Sequence, residues 1–256
     1  MEIIKTDAVV LRSIKHSESS RIVSFFTETN GKVSLIAKGA RKARPFVPMD
    51  TFSLMSIVYR SKSSRDIQLM TSAELLDSFL TVRDDLRKSA AAFAMCDLVN
   101  KTTMEDDSNP LLFEALVEAL GALNEKSSRP ANSLRHFQIR MIETLGFGLD
   151  LERCLNCGKK SEDFPGGKTC RFSFESGGII CPECGAGEEN AASLKPEVLK
   201  TLQYLAGAPV DKIQRLKISP AAGRDIERLL LGFLRRHIEG FKTAPATSFT
   251  NFAFEK

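Results

Sequence analysis

Two short cysteine motifs constrain the fold of this chain more than any other feature of its sequence. The segments "CLNCG" and "CPECG" place Cys154 near Cys157 and Cys181 near Cys184, with 23 residues between the pairs. Four thiolates suit tetrahedral Zn²⁺, and a two-residue gap lets each pair grip the ion from one tight turn. Because four cysteines leave no open coordination position, the motifs predict one structural zinc ion in a module over residues 152–187.

A glycine directly follows each cysteine pair. Gly158 and Gly185 stand where a zinc knuckle needs positive φ and directs backbone N–H groups at the sulfurs. A single CxxC can instead be a redox-active dithiol, so a thiol oxidoreductase using the first pair is an alternative. Two pairs outside any βαβ pattern favour metal. Of the remaining cysteines, Cys96 and Cys170 are predicted to be free thiols, although Cys170 could compete as a ligand.

The first 80 residues carry the pattern of short β-strands. Segments rich in β-branched and aliphatic residues recur about every ten residues. Asn30-Gly31 is predicted to form the turn of a hairpin, because this pair accepts the positive φ of tight turns. No long helical pattern interrupts the series. This spacing predicts a small barrel or a sandwich.

Beyond Leu80 the pattern becomes helical. Five helices are predicted from apolar periodicity and cap residues: over 82–104, after Asn109-Pro110, over 131–145, from Ser193 to Gly207 and from Ser219 to Gly240. Residues 81–242 are therefore predicted to form a helical domain that contains the zinc module. Residues 243–256 lack periodicity and are predicted to be a flexible tail.

Excess positive charge is confined to the first third of the chain. Residues 1–80 hold 12 of the 36 Lys and Arg and 8 of the 32 Asp and Glu, so the remaining residues balance at 24 and 24. Five bases occur between Glu28 and Asp50 without an intervening acid: Lys32, Lys38, Arg41, Lys42 and Arg44. A local positive field of this kind is typical of a polyanion site, although a solvated loop would carry the same charge.

Several classes of protein are excluded by composition and motifs. No apolar run reaches the ~20 residues that cross a bilayer, and the first residues lack the pattern of a secretory signal, which predicts a cytoplasmic protein with reduced cysteines. No serine-hydrolase, zinc-protease or paired-carboxylate motif occurs, and Glu162 stands where "PGGKTC" would need the first glycine of a phosphate-binding loop. The sequence therefore predicts that the protein is not an enzyme.

Two separated stretches of the chain resemble the bacterial RecO recombination and repair proteins. "DAVVLRSIKHSESSRIVSFFTETNGKVSLIAKGARK" resembles the N-terminal segment of that family, and "LRHFQIRMIETLGFGLDLERCLNCG" resembles its helix leading into a zinc motif. The resemblance extends from about Asp7 to Gly240. It implies an α+β fold, in which an N-terminal OB-fold β-barrel over residues 1–80 precedes an α-helical domain with an inserted four-cysteine zinc module.

The resemblance also implies a function without enzymatic activity. Members of the family bind single- and double-stranded DNA and anneal complementary strands, and they are cytoplasmic and associated with the nucleoid. With RecR they help to load RecA onto single strands coated by single-stranded DNA-binding protein. The residues predicted to contact DNA are Lys32, Lys38, Arg41, Lys42 and Arg44. OB-folds often stack bases on aromatic residues, but the chain has no Trp and 2 Tyr, so we expect binding to depend on phosphates.

The last predicted helix carries a second charged region. The resemblance implies that the helical domain contacts the acidic C-terminal tail of single-stranded DNA-binding protein, and the candidates are Leu230, Phe233, Arg235 and Arg236. An ordinary amphipathic helix with a solvated face explains the same pattern. An alternative function is a zinc-ribbon adaptor that acts mainly through protein–protein contacts. A direct test of DNA binding separates the two functions, because both predict a structural zinc.

Overall fold

The computed structural model of the protein describes residues 2–39, 47–188, 191–239 and 241. The chain divides into two compact units, Met1–Ser128 and Arg129–Lys256. Among the described residues, the first unit holds a β-barrel and three α-helices, and the second holds four α-helices and a small sheet. None of the helices in the described part of the chain is long and apolar enough to span a membrane. The predicted boundaries at residues 80 and 242 stay predictions.

Five strands close the barrel of the first unit. They are β1 (Glu2–Lys15), β2 (Arg21–Thr27), β3 (Gly31–Ala37), β4 (Leu54–Ser61) and β5 (Ile67–Asp77). The order around the barrel is β1-β2-β3-β5-β4, and every neighbouring pair is antiparallel except β3 and β5. Closure pairs the strand edges that an open sheet would expose. The predicted barrel is confirmed, and its closed five-stranded ring is OB-like.

The β2–β3 hairpin turns where the sequence predicts. Gly31 has a φ of +65°, and the Thr27 hydroxyl closes the turn by donating to the Gly31 carbonyl at 2.9 Å and accepting from the Asn30 N–H at 3.0 Å. A Cβ at Gly31 would overlap the carbonyl of Asp107, which packs over the turn. Glycine is therefore required here by close packing as well as by backbone conformation.

Inward-facing side chains of alternate strand residues fill the barrel. This core contains Ala8, Val10, Val23, Phe25, Val33, Leu35, Met55, Ile57 and Tyr59. Phe52 is also buried; Phe93 contacts its ring edge-on with centroids 5.2 Å apart, and the Arg83 guanidinium lies 4.3 Å from its centroid. Tyr59 and Phe52 are thus core residues and not exposed platforms for stacked bases.

Cap residues set the starts of the two longer helices in the first unit. The helices are α1 (Leu80–Arg83), α2 (Leu86–Thr102) and α3 (Pro110–Asn124). The Asp85 carboxylate accepts from the first N–H groups of α2, and the Asn109 side chain accepts from the Leu112 N–H at 3.0 Å. Pro110 occupies the first position of α3, where a missing N–H costs nothing. The predicted N-cap at Asn109 is confirmed.

The second unit combines helices with a sheet that the sequence did not predict. Its helices are α4 (Pro130–Thr144), α5 (Pro196–Gly207), α6 (Val210–Ile213) and α7 (Pro220–His237). Its strands are β6 (Asp150–Cys154), β7 (Cys170–Ser173), β8 (Gly178–Ile180) and β9 (Ala192–Leu194), in the order β6-β8-β7-β9. Ser219 caps α7 by accepting from the Ala222 N–H, whereas Ser193 lies in β9 and does not cap α5.

Candidate metal centre and nucleic-acid interface

The short sheet of the second unit brings the two cysteine motifs together. Cys154 ends β6, Cys181 follows β8, and these two strands pair in parallel. The sulfurs of the four cysteines all lie within 4.8 Å of one another, and those of Cys157 and Cys181 are 3.8 Å apart. Four sulfurs ~2.3 Å from a tetrahedral zinc ion would be about 3.8 Å apart. The donor set and its spacing therefore fit the predicted metal, and the four cysteines could hold it.

Each cysteine pair forms the same tight turn. The Gly158 N–H donates to the Cys154 carbonyl, and the Gly185 N–H donates to the Cys181 carbonyl, both at 2.9 Å. Gly158 has a φ of +72°, as predicted. The prediction of positive φ at Gly185 is wrong. A Cβ at Gly185 would lie 2.8 Å from the Cγ atom of Arg171, so close packing explains that glycine.

Backbone N–H groups lower the pKa of the Cys154 thiol, which favours the thiolate form that binds a metal ion. Burial by itself would raise the pKa of Cys154, but the N–H groups of Cys181, Cys157 and Asn156 lower it to about 6. The Cys181 N–H lies 3.2 Å from the Cys154 sulfur. Burial raises the pKa of Cys181 itself to about 12. Because metal binding displaces thiol protons, a zinc ion would hold both groups as thiolates.

Cys170 and Cys96 lie outside the group of four cysteines. The Cys170 thiol is buried and donates to the Leu194 carbonyl at 3.6 Å, and burial raises its pKa to about 11. Cys96 is fully buried in α2, and burial raises its pKa to about 12. Neither residue forms a disulfide, and their place outside the group of four agrees with the prediction that both are free thiols.

Of the predicted DNA-binding residues, Lys38 lies on the surface at the end of β3. Arg41, Lys42 and Arg44 fall outside the described residues. Beside Lys38 lies a cavity of about 300 Å³, whose lining is His16, Ile22, Ile36, Lys38, Arg65, Ile67 and Leu69. Sequence reasoning missed Arg65 and His16, because only barrel closure brings their two loops beside the end of β3.

The Lys32 side chain forms hydrogen bonds within the first unit. Its ammonium donates to the carbonyls of Asn100 at 2.9 Å and Thr103 at 2.7 Å, at the C-terminal end of α2. Burial lowers the pKa of Lys32, and the charge of Glu105 opposes this shift. A cation is favourable at this position because the last carbonyls of a helix have no intrahelical donors. Lys32 is therefore not included in the DNA surface proposed below.

The substitution Lys32→Met separates these two roles. We expect it to lower the free energy of unfolding by about 1–3 kcal/mol, because two helix-end carbonyls lose their donor. Affinity for single-stranded DNA is expected to stay unchanged. Urea denaturation and oligonucleotide anisotropy measure the two quantities. Lys38→Met, at an exposed lysine of the same barrel, is the control for stability only, because Lys38 belongs to the proposed DNA surface. A folded Lys32→Met protein that binds DNA more weakly would show that this ammonium contacts DNA.

The partner-binding candidates on α7 divide into buried and exposed residues. Leu230 and Phe233 are 0% and 1% exposed, so the prediction that they line a surface groove is not supported. The ring of Phe233 packs against those of Phe172 and His237 within the second unit. Arg235 and Arg236 are exposed. These apolar residues belong to the core face of an amphipathic helix, which was the simpler interpretation of the pattern.

The N-terminal and C-terminal parts of the chain match models of the same protein family. The family model for the N-terminal part of recombination protein O matches residues 1–79, and the model for its C-terminal part matches residues 83–244. A DNA repair protein RecO from Desulfatibacillum aliphaticivorans is 32% identical over 242 residues, which cover 92% of each chain. Another from Anaeromyxobacter sp. (strain K) is 30% identical over 93% of this chain and 92% of the relative. The RecO protein of Acetivibrio thermocellus is 24% identical over 93% of each chain.

Proposed function

The chain belongs to the recombination protein O (RecO) family of DNA repair proteins, and from this premise we propose that it is a non-enzymatic mediator of DNA repair and recombination. It binds single- and double-stranded DNA and anneals complementary strands. With RecR, it helps to load RecA onto single strands coated by single-stranded DNA-binding protein. The observation that carries this proposal is an OB-like barrel within the part of the chain that holds all of its excess positive charge.

The proposed DNA surface lies at one end of the barrel. Lys38 and Arg65 approach the same cavity from β3 and from the β4–β5 loop. Within the described residues, no ion pair engages either side chain. Arg41, Lys42 and Arg44 follow Lys38 directly in the sequence and extend the set of cations. Such contacts hold phosphates without reading bases, which suits a protein that acts wherever damage occurs.

The proposed role of the four cysteines is to stabilise the fold of the second unit. We propose that they bind one zinc ion, which supplies cross-linking of the β6 and β8 segments and no catalytic chemistry, because four thiolates leave no open position for a substrate. Arg235 and Arg236 remain the candidates for contact with the acidic tail of single-stranded DNA-binding protein. RecR, that protein and DNA are the proposed partners.

A strand-annealing assay tests the proposal directly. Two complementary oligonucleotides, one with a donor dye and one with an acceptor, are mixed with and without the protein. We expect the protein to accelerate the rise of energy transfer without ATP and without changing either strand covalently. A protein that binds neither single nor double strands at low salt would contradict the proposal and favour the zinc-ribbon adaptor.

A further inference from the structure

A cavity of about 620 Å³ lies beside the cysteine cluster in the second unit. Its volume is in the range of small-molecule sites. One wall is the segment from Glu152 to Lys168, and the other is a face of α5 that carries Leu199 and Lys200. The ring of Phe164 lines the cavity and also packs against the core formed by Cys154, Ile180 and Cys181. The cavity is thus built on the proposed metal module.

Two cations stand side by side at this cavity. Arg153 and Lys160 face each other as an antiparallel bridge pair, and the hydrogen bond from the Cys154 N–H to the Lys159 carbonyl, at 2.8 Å, holds that pairing. Directly opposed like charges repel each other in such a pair. Glu162 pairs with Lys160 at 3.0 Å, and the Arg153 guanidinium donates to the Gly158 carbonyl at 3.4 Å, so part of the repulsion is offset. An anion that contacts both side chains would remove the remaining repulsion between them.

The full set of charges at the cavity favours a single phosphate. Lys168 and Lys200 add two more cations, and Glu152 joins Glu162 as the second acid. The lining therefore has a net charge of about +2, which matches the charge of about −1.5 to −2 on a phosphomonoester at neutral pH. A polyacidic peptide would bring several carboxylates close to the two glutamates, which would repel them.

The remainder of the lining suits the neutral part of a nucleotide. Phe164, Pro165, Pro196 and Leu199 offer apolar surface to a planar base. The Gln203 amide nitrogen donates to the Leu151 carbonyl and to the Ser161 hydroxyl, both at 2.8 Å. These bonds fix the amide, so its carbonyl oxygen is a positioned acceptor for an exocyclic amino group.

We propose that this cavity binds a nucleotide, with the phosphomonoester among the four cations Arg153, Lys160, Lys168 and Lys200 and the base against the apolar wall. The ligand is either a free nucleotide or the 5′-phosphorylated end of a DNA strand, which present the same chemistry. All residues that line this cavity belong to the second unit, whereas the proposed DNA surface belongs to the first. It rests on the proposed DNA-binding function only where the ligand is a strand end.

Calorimetry on the zinc-loaded full chain tests this site. The probes are dAMP, deoxyadenosine, inorganic phosphate, and a trinucleotide with either a 5′-phosphate or a 5′-hydroxyl. We expect dAMP to bind at least about tenfold more tightly than deoxyadenosine or phosphate, since each of these lacks one half of the contacts. Binding of the trinucleotide only when it carries a 5′-phosphate identifies a strand end as a ligand. Binding of dAMP without binding of the trinucleotide identifies a free nucleotide.

Matched variants locate the binding. Lys168→Ala/Lys200→Ala is expected to weaken dAMP binding by at least about tenfold, because two charge-assisted contacts are lost. Lys212→Ala/Lys217→Ala removes two exposed lysines that do not line the cavity, and it should bind dAMP normally. Lys38→Ala/Arg65→Ala should also bind dAMP normally. A loss of DNA binding at the barrel surface can therefore be told apart from a loss of nucleotide binding at this cavity. Unchanged dAMP binding by the Lys168/Lys200 variant, equal affinity for phosphate alone, or no binding of dAMP would overturn the proposal.

Discussion

Replacing Cys181 with Ser is expected to abolish zinc binding and to unfold the segment from β6 to β9, while the barrel unit stays folded. The Cys181 side chain is 1% exposed, and its sulfur lies 3.8 Å from that of Cys157. The strands around it are only 3 to 5 residues long. Strands so short have little independent stability, so we expect the proposed metal to supply much of the folding free energy of this segment. Structural zinc contributes roughly 10–16 kcal/mol in small modules.

Hydrogen exchange and metal analysis measure this effect together. In the native protein we expect one zinc per chain and slow amide exchange across residues 150–194. In the Cys181→Ser protein the zinc and this protection should both be lost, with exchange in β1–β5 unchanged. Cys170→Ser is the matched control, because its thiol is also buried but lies outside the group of four sulfurs. Full zinc content and full protection in the Cys181→Ser protein would refute a structural metal at this site.

The zinc content also tests the alternative that the protein is a thiol oxidoreductase. A dithiol oxidoreductase would contain no metal, and its cysteine pair would cycle between thiol and disulfide. A zinc-bound pair would be protected from alkylating reagents until a chelator removes the ion. Protein that lacks zinc and turns over a disulfide substrate would favour the oxidoreductase instead of the mediator.

Features with a local cause could be predicted from the sequence. Strand alternation and the Asn30-Gly31 turn indicated the barrel strands, because both signals depend on residues that are neighbours in the chain. The cap at Asn109 followed from the side-chain chemistry of a single residue. The clustering of Cys154, Cys157, Cys181 and Cys184 followed from their spacing, which needs no knowledge of the surrounding fold. The strands β6 to β9 gave no signal because segments of 3 to 5 residues are too short to show a period.

Features with a distant cause could not be predicted in this way. The sequence predicts a DNA contact for Lys32 because it is one of five bases without an intervening acid, but its partner Asn100 lies 68 residues further along the chain. For Phe233, helical periodicity showed an apolar face without showing what covers it. Arg65 was missed because its loop reaches Lys38 only after the barrel closes. Charge and periodicity therefore indicate which residues could lie on a surface, but only the packing of the fold shows which of them are exposed.

The substitution Lys38→Ala/Arg41→Ala/Arg44→Ala is expected to reduce the salt dependence of single-stranded DNA binding. Each phosphate contact releases counterions and contributes ~0.7 to the slope of log K against log salt concentration, so three lost contacts should flatten the slope by about two units. Fluorescence anisotropy of a labelled oligonucleotide across a salt series measures the slope. The loss of affinity should be largest at low salt, where counterion release favours binding most strongly.

A variant with the same change in net charge is the decisive control. Lys212→Ala/Arg215→Ala/Lys217→Ala removes three exposed cations from the second unit. If Lys38, Arg41 and Arg44 contact the DNA backbone, this control keeps the native slope, because the slope counts phosphates that are contacted and not the charge of the whole protein. Equal flattening in both variants would mean that these three residues have no special role. A native slope in the Lys38/Arg41/Arg44 variant would move the DNA surface away from the barrel. No binding at low salt would favour the zinc-ribbon adaptor.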